Sequence, residues 1–419
     1  MRGIARFWRR AGIRPTGRSQ LGVDGFAFFL ADVQVGFGPF LTVYLTSEKW
    51  TSADIGLVLT VGSIIALIGQ VPGGALVDAM GRERTLAATS TLMIGASAFS
   101  IAIWPQFTAV FFAQVFHSLA SVVTGPALAA ISLGLVGHNL IGERLGRNAR
   151  FASLGSMIAA ASMGACGYYL SSQAVFFVAA AMTVPAVLSL YLISPGDFHR
   201  EEVTPKPKAH YDIIDAARTL ASNRPLLILA GTVSLFHLSN ASIMPLVANL
   251  ITQRASDAAT ILVALCIIVP QFVVAMISPW IGRYGDRHGR RPLLMLGFAA
   301  LPVRAALLAS SSDPVVMVAI QCLDGISAAA LGVLVSGAVA DVTRTSGNFN
   351  LALGFVGIAM GVGASISTTL AGIIAYDFGA STAFLTLACI GLAAFLAVVL
   401  LLPETRTAES KEHESNIAR

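Results

Sequence analysis

Long apolar runs, separated by short polar turns, take up most of the chain. Twelve can be marked, at about 21–45, 53–77, 86–104, 107–136, 149–170, 174–194, 225–252, 257–281, 292–311, 314–340, 350–376 and 381–402. A run of about 20 apolar residues is long enough to cross the hydrocarbon of a bilayer as a helix. None of these runs alternates with the period of two that a barrel strand shows. Backbone groups in lipid must be paired within their own segment, so such runs are read as helices. The pattern predicts an all-α membrane protein with 12 transmembrane helices. The longest polar stretch divides the spans into two sets, giving a tail 1–19, a bundle 20–194, a linker 195–224, a bundle 225–402 and a tail 403–419. Within the linker, Pro195, Pro205 and Pro207 precede an amphipathic segment, His210–Leu220, expected to lie along the membrane surface.

The two sets repeat one another. The turn after span 8 reads Gly282-Arg283-Tyr284-Gly285-Asp286-Arg287-His288-Gly289-Arg290-Arg291, and the turn after span 2 reads Gly74-Ala75-Leu76-Val77-Asp78-Ala79-Met80-Gly81-Arg82-Glu83-Arg84. Gly74, Asp78, Gly81 and Arg82 stand on Gly282, Asp286, Gly289 and Arg290 at a constant spacing of 208. Pro39 in span 1 matches Pro245 in span 7 at 206, which brings Gln34 onto Asn240 and Asp32 to within one residue of His237. Gln114 in span 4 matches Gln321 in span 10 at 207, which sets His117 on Asp324. The chain is therefore expected to form two pseudo-symmetric six-helix bundles.

Composition agrees with a membrane protein: 55% of residues are hydrophobic, 12% are charged, and mean hydropathy is +0.76. A soluble domain carries about 25% charged residues. The placement of charge gives the topology. Of 27 Lys and Arg, all but Lys49, Arg254 and Arg304 fall in the tails, the linker or the even-numbered turns. Positive charge marks the cytoplasmic side, so both termini and the linker are expected there. The basic tail carries Arg2, Arg6, Arg9, Arg10, Arg14 and Arg18 and fits an anchor on anionic lipid; no removable signal sequence is expected. Cys166, Cys266, Cys322 and Cys389 all fall in apolar runs without metal-ligand spacing, and they read as small core residues.

Ionisable groups deep in the spans are few, and each is costly in hydrocarbon unless it faces a cavity or a partner. Asp32 lies near the middle of span 1, where it either takes a proton or cation from a cavity or is capped by donors such as Gln34. His237 and Asn240 share one face of span 7, beside the interrupted pattern Asn240-Ala241-Ser242-Ile243-Met244-Pro245. His237 could relay protons or simply hold a hydrogen bond, and His117 stands open to the same two readings. Arg304 in span 9 and Asp324 in span 10 fall at similar depth on antiparallel helices, which predicts an ion pair, either static or able to exchange partners. Asp24, one turn into span 1, reads as an interfacial charge. No nucleotide-binding loop, metal-binding helix or nucleophile elbow is present, so no enzyme, cofactor or metal is expected. Nothing points to nucleic acid.

The twelve-span plan and the paired loop resemble the major facilitator superfamily, whose signature is G-x-x-x-D-[RK]-x-G-R-[RK]. The second copy fits every position; the first departs at Ala79 and Glu83. The resemblance implies a monomer of two bundles around a central cavity that opens alternately to either side. It also implies that spans 1, 4, 7 and 10 line the cavity, which here carry Asp32, Gln34, His117, His237, Asn240 and Asp324. Gly74, Asp78, Gly81, Arg82, Gly282, Asp286, Gly289 and Arg290 would latch the cytoplasmic face. Drug/proton antiporters of this superfamily show an arginine where Gln114 stands and a Gly-Pro pair in span 5, where this chain has Gly164-Ala165-Cys166-Gly167. The resulting expectation is a secondary transporter of a small organic solute in a bacterial inner membrane, proton-coupled through Asp32 or Asp324, with efflux favoured. The alternatives are proton-driven uptake of an organic anion or siderophore-like solute, and a non-transporting membrane sensor on the same fold.

Overall fold

A computed structural model describes residues 15–35, 39–198, 218–220, 222–254, 259–344 and 346–406. Span 1 consists of α1 (Gly17–Val35) and α2 (Pro39–Ser47). Spans 2 to 6 are α3 (Ser52–Met80), α4 (Glu83–Ile103), α5 (Phe107–Val136), α6 (Ile141–Tyr169) and α7 (Ser172–Tyr191). Span 7 consists of α8 (Arg224–Asn240) and α9 (Ile243–Arg254). Spans 8 to 12 are α10 (Ala259–His288), α11 (Arg291–Ser310), α12 (Pro314–Val342), α13 (Phe349–Phe378) and α14 (Ala380–Leu401). Among the described residues there is no strand. Most of the amphipathic segment His210–Leu220 lies outside the described residues.

Span 7 breaks where the sequence is interrupted. Pro245 sits in the first turn of α9, where its missing N–H costs nothing. The break is stabilised from α13: Ser242 N–H donates to Ser367 Oγ at 3.2 Å, and the two hydroxyls lie 2.5 Å apart. Among the described residues, ten helices are long and apolar enough to cross a membrane. The two spans outside that set are span 1, which is divided, and span 5, whose first turns carry Glu143, Arg144 and Arg147.

The halves share one packing scheme. In the first, α3 and α4 pack on α5, α4 on α7, and α1 on both α6 and α7. In the second, α10 and α11 pack on α12, α11 on α14, and α8 on both α13 and α14. These are the same pairs moved by one repeat. Between halves, α6 meets α10 and α3 meets α13, which the repeat also exchanges.

Candidate functional site

Arg304, on α11, reaches between its neighbours instead of into lipid. Its Nη1 donates to Asn240 Oδ1 at 2.7 Å and to Asp324 Oδ1. Its Nε and Nη2 both donate to Gln321 Oε1, at 3.1 and 2.5 Å. Gln321 is oriented in turn by its own amide, which donates to Met317 O at 3.2 Å. The guanidinium side chain is 2% exposed and the Asp324 side chain 25%. A cation this deep needs its partners, because desolvation costs several kcal/mol and only charge and hydrogen bonds offset it. The result is a neutral pair with one accessible acid on a wall shared by α8 and α12.

The other polar residues of the sequence reading do not join this cluster by any described bond. His237 stands one turn before Asn240 and is partly exposed. Gln34 is exposed on α1, and the side chain of Asp32 lies outside the described residues. In the first half His117 Nε2 lies 3.4 Å from Ser121 Oγ. Gln114, the counterpart of Gln321, packs against Gly62 of α3, where an added Cβ would stand 2.5 Å from its Nε2. The first half has no arginine to match Arg304, since Ala96 and Ser97 stand near that register.

The seam between halves gathers at the terminal face, where the described residues begin and end. Gly74 lets α3 touch the backbone of α13, since a Cβ there would stand 2.0 Å from Asn350 O. Gly282 does the same for α10 on α6, 2.0 Å from Gly142 O. These approaches bring each signature aspartate to a helix start in the opposite half. Asp78 accepts from Leu351 N at 2.8 Å, Asn350 N at 3.3 Å and Asn350 Nδ2 at 2.7 Å. Asp286 accepts from Gly142 N at 3.0 Å and Glu143 N at 2.7 Å. Neither α13 nor α6 has a side-chain cap of its own at Asn348 or Leu140. Each aspartate thus caps in trans the amide end that attracts negative charge. Arg150 adds a further link: its Nε donates at 2.8 Å to Ala275 O, the carbonyl that Pro279 leaves without a helical donor.

The remaining loop residues diverge between the copies. Gly81 and Gly289 both adopt positive φ, +55° and +106°, as the turn requires. Arg290 is buried and gripped by Asp341, with Nε to Oδ2 at 2.5 Å and Nη2 to Oδ1 at 3.2 Å, and Asp286 lies 3.3 Å away. Burial works against this charge, but Asp341 and then Asp286 outweigh it and hold the Arg290 pKa above the ordinary arginine value. Arg82, expected to act alike, is exposed, and its guanidinium makes no bond to a described residue. This difference from Arg290 has a plain physical ground. The stretch matching Asp341 is Ser132-Leu133-Gly134, which offers no carboxylate.

The partners of three acids escaped the sequence reading. Asp24, read as an interfacial charge, is 1% exposed and clamped by Arg144 and Arg147 of α6. Asp341 grips Arg290. Glu404 accepts from Arg290 N at 2.9 Å and Arg291 N at 3.2 Å, capping α11 from beyond the last helix. The spacing of Pro195 and Pro403, again 208, was the available signal that the segments after spans 6 and 12 are equivalent parts of the repeat.

The model of the Major Facilitator Superfamily matches residues 25–269 and 229–417. An uncharacterized MFS-type transporter of Mycobacterium tuberculosis (strain ATCC 25618 / H37Rv) is 36% identical over 394 residues, 91% of this chain and 93% of that protein. The class B tetracycline resistance protein of Escherichia coli is 30% identical over 131 residues, 31% of this chain and 32% of that one. Multidrug resistance protein 2 of Bacillus subtilis (strain 168) is 28% identical over 151 residues, 36% of this chain and 37% of that one. Among solved structures, FucP in the outward conformation superposes with TM-score 0.73 at 13% identity, covering 92% of this chain and 98% of that one. The proton:xylose symporter XylE bound to 6-bromo-6-deoxy-D-glucose gives TM-score 0.70 at 14% identity, covering 95% and 97%.

Proposed function

The chain belongs to the major facilitator superfamily, whose members are transporters and not enzymes, and we propose that it carries a small organic solute by alternating access, driven by protons. The observation that carries the coupling is the Arg304 cluster. Of the three side chains that hold the buried guanidinium, only Asp324 titrates, and its side chain is one-quarter exposed. Protonating Asp324 cancels the counter-charge but leaves the neutral holders Gln321 and Asn240 in place. The guanidinium then attracts an anionic or acceptor group of the solute, or the α8–α12 wall rearranges. Deprotonation restores the pair and releases the load.

That cycle moves proton and anion the same way and suits the uptake alternative; in efflux a cationic or donor group of the solute instead competes with the proton for Asp324. The direction we favour is efflux. It rests on the partial matches to proteins named for tetracycline and multidrug resistance. The positive-inside distribution of Lys and Arg supports placing the terminal face in the cytoplasm of a bacterial plasma membrane. On that orientation the seam described above closes the cytoplasmic side, leaving the Asp324 wall to be reached from outside. Asp32, Gln34, His117 and His237 are proposed as further contacts for solute or protons.

Flux of a solute panel into inverted and right-side-out proteoliposomes under an imposed pH gradient tests this reading. We expect gradient-driven accumulation that Asp324→Asn abolishes while pH-independent exchange survives. Flux indifferent to pH in both wild type and Asp324→Asn would reject proton coupling. Accumulation that requires substrate and proton to move the same way would favour organic-anion uptake instead.

A further inference from the structure

The divergence at Arg82 leaves a charged groove that the transport reading does not use. It lies on the terminal face, between the start of α4 and the end of α7. A space of about 660 Å³ is lined there by Arg82, Glu83, Arg84, Leu92, Tyr191 and Phe198, among others. Leu92 and Tyr191 are 52% and 70% exposed on the outer surface of the bundle, where acyl chains would lie. The two arginines outnumber the single acid, Glu83. Arg84 is anchored by one arm only, Nη2 to Leu190 O at 3.1 Å, and its Nε is buried without a partner.

The repeat shows what this place binds in the other half. There Arg291, one residue before the position that matches Arg84, reaches the end of the last helix in a similar way, Nη2 to Val399 O at 2.5 Å. The carboxylate of Glu404 sits on the amides of Arg290 and Arg291 that open α11. Glu404 follows Pro403; the residue after Pro195, at the same spacing, is Gly196. Asp197, the nearest acid in that segment, is taken up by Thr16 N, Thr16 Oγ1 and Ser19 Oγ at 2.9, 2.7 and 2.6 Å. The start of α4 has no side-chain cap at Arg82. So the first half keeps the amide end of the second, but among the described residues none places a carboxylate where Glu404 stands.

We propose that this groove binds the headgroup phosphate of an anionic membrane phospholipid, held by Arg82, Arg84 and the amide end of α4 in the place that Glu404 occupies in the other half. The occupant is a lipid because the charged end of the groove continues into exposed apolar side chains at the level where the spans begin. A helix start with two guanidinium groups suits a phosphodiester.

Native mass spectrometry of the full chain, delipidated in detergent and offered equal phosphatidylglycerol and phosphatidylcholine, tests this. Wild type should retain phosphatidylglycerol about tenfold over phosphatidylcholine, as expected for loss or gain of charge-assisted bonds. Arg82→Gln breaks no bond to a described residue, so its effect reports on the ligand. It should bring the ratio to near unity. Gly196→Glu should do the same by supplying the missing carboxylate, and should raise the melting temperature without lipid. A Cβ at Gly196 meets nothing within 4 Å, so this variant is expected to fold. Equal retention of the two lipids by wild type, or a preference unchanged in both variants, overturns the proposal. Displacement of phosphatidylglycerol by inorganic phosphate alone, with no loss in phosphatidylcholine binding, overturns the lipid as occupant.

Discussion

Replacing Gly282 with alanine should open the seam between halves while leaving each half folded. The added Cβ would stand 2.0 Å from Gly142 O, where ordinary contact begins at 3.4 Å. The obstacle is backbone on both sides, so no rotamer relieves it; α10 must move off α6 by more than an ångström. At that separation Asp286 loses both amides at the start of α6, now at 3.0 and 2.7 Å. Hydrogen bonds to a charged group contribute about 1.5–3 kcal/mol each, and water replaces part of that. A net loss of about 3 kcal/mol shifts the ratio of closed to open seam roughly a hundredfold. Hydrogen exchange read by mass spectrometry over residues 141–150 measures this directly. Protection should fall in Gly282→Ala and, by the repeat, over residues 349–354 in Gly74→Ala. Gly164→Ala is the control, since a Cβ there meets nothing within 4 Å. If exchange over 141–150 is the same in wild type, Gly282→Ala and Gly164→Ala, the close approach does not hold the seam and the reasoning fails.

Other outcomes follow from the buried charges. Arg304→Met should lower stability by about 3 kcal/mol in thermal melts, and Arg304→Met with Asp324→Leu should recover most of it, because the cost lies in one charge left without the other. Asp24→Asn should destabilise the first half by a similar amount, about 3 kcal/mol, by leaving Arg144 buried without its counter-ion. Raising salt should change the wild-type melt little, because Asp24 and Arg144 are shielded from the ions that screen exposed pairs. Glu404→Gln should cost about 1 kcal/mol and loosen amide exchange at the start of α11, as loss of a charged cap does.

The sequence pattern carried the bundle because lipid leaves so few options: a long apolar run must be a helix, and a repeated charged turn fixes how two sets of helices correspond. Depth along antiparallel helices was enough to place Arg304 beside Asp324. What could not be read was which side chain from a distant helix completes each charged group. Asp24 lies 120 residues from Arg144, and Arg290 lies 114 from Glu404. Those pairings depend on the packing of α1 against α6 and on the path of the chain after α14, which no local pattern encodes. The repeat misled at Arg82 for the same reason: its equivalence to Arg290 is real along the chain, but its partners are not repeated.

That divergence has a consequence for how the halves move. Asp78 and Asp286 each cap a helix of the opposite half, so parting the terminal face uncovers both helix ends together. We propose that the two caps act as one switch, although they sit on different helix pairs. Their supports differ. Asp286 is backed by Arg290 at 3.3 Å and Arg406 at 3.7 Å, which stay with the second half when the seam opens. Asp78 is backed by no described ion pair, and its closest partners, Asn350 and Leu351, belong to the far half. On opening, Asp286 keeps counter-charges and Asp78 keeps none. Asp78 is therefore the carboxylate that gains most from the water that enters.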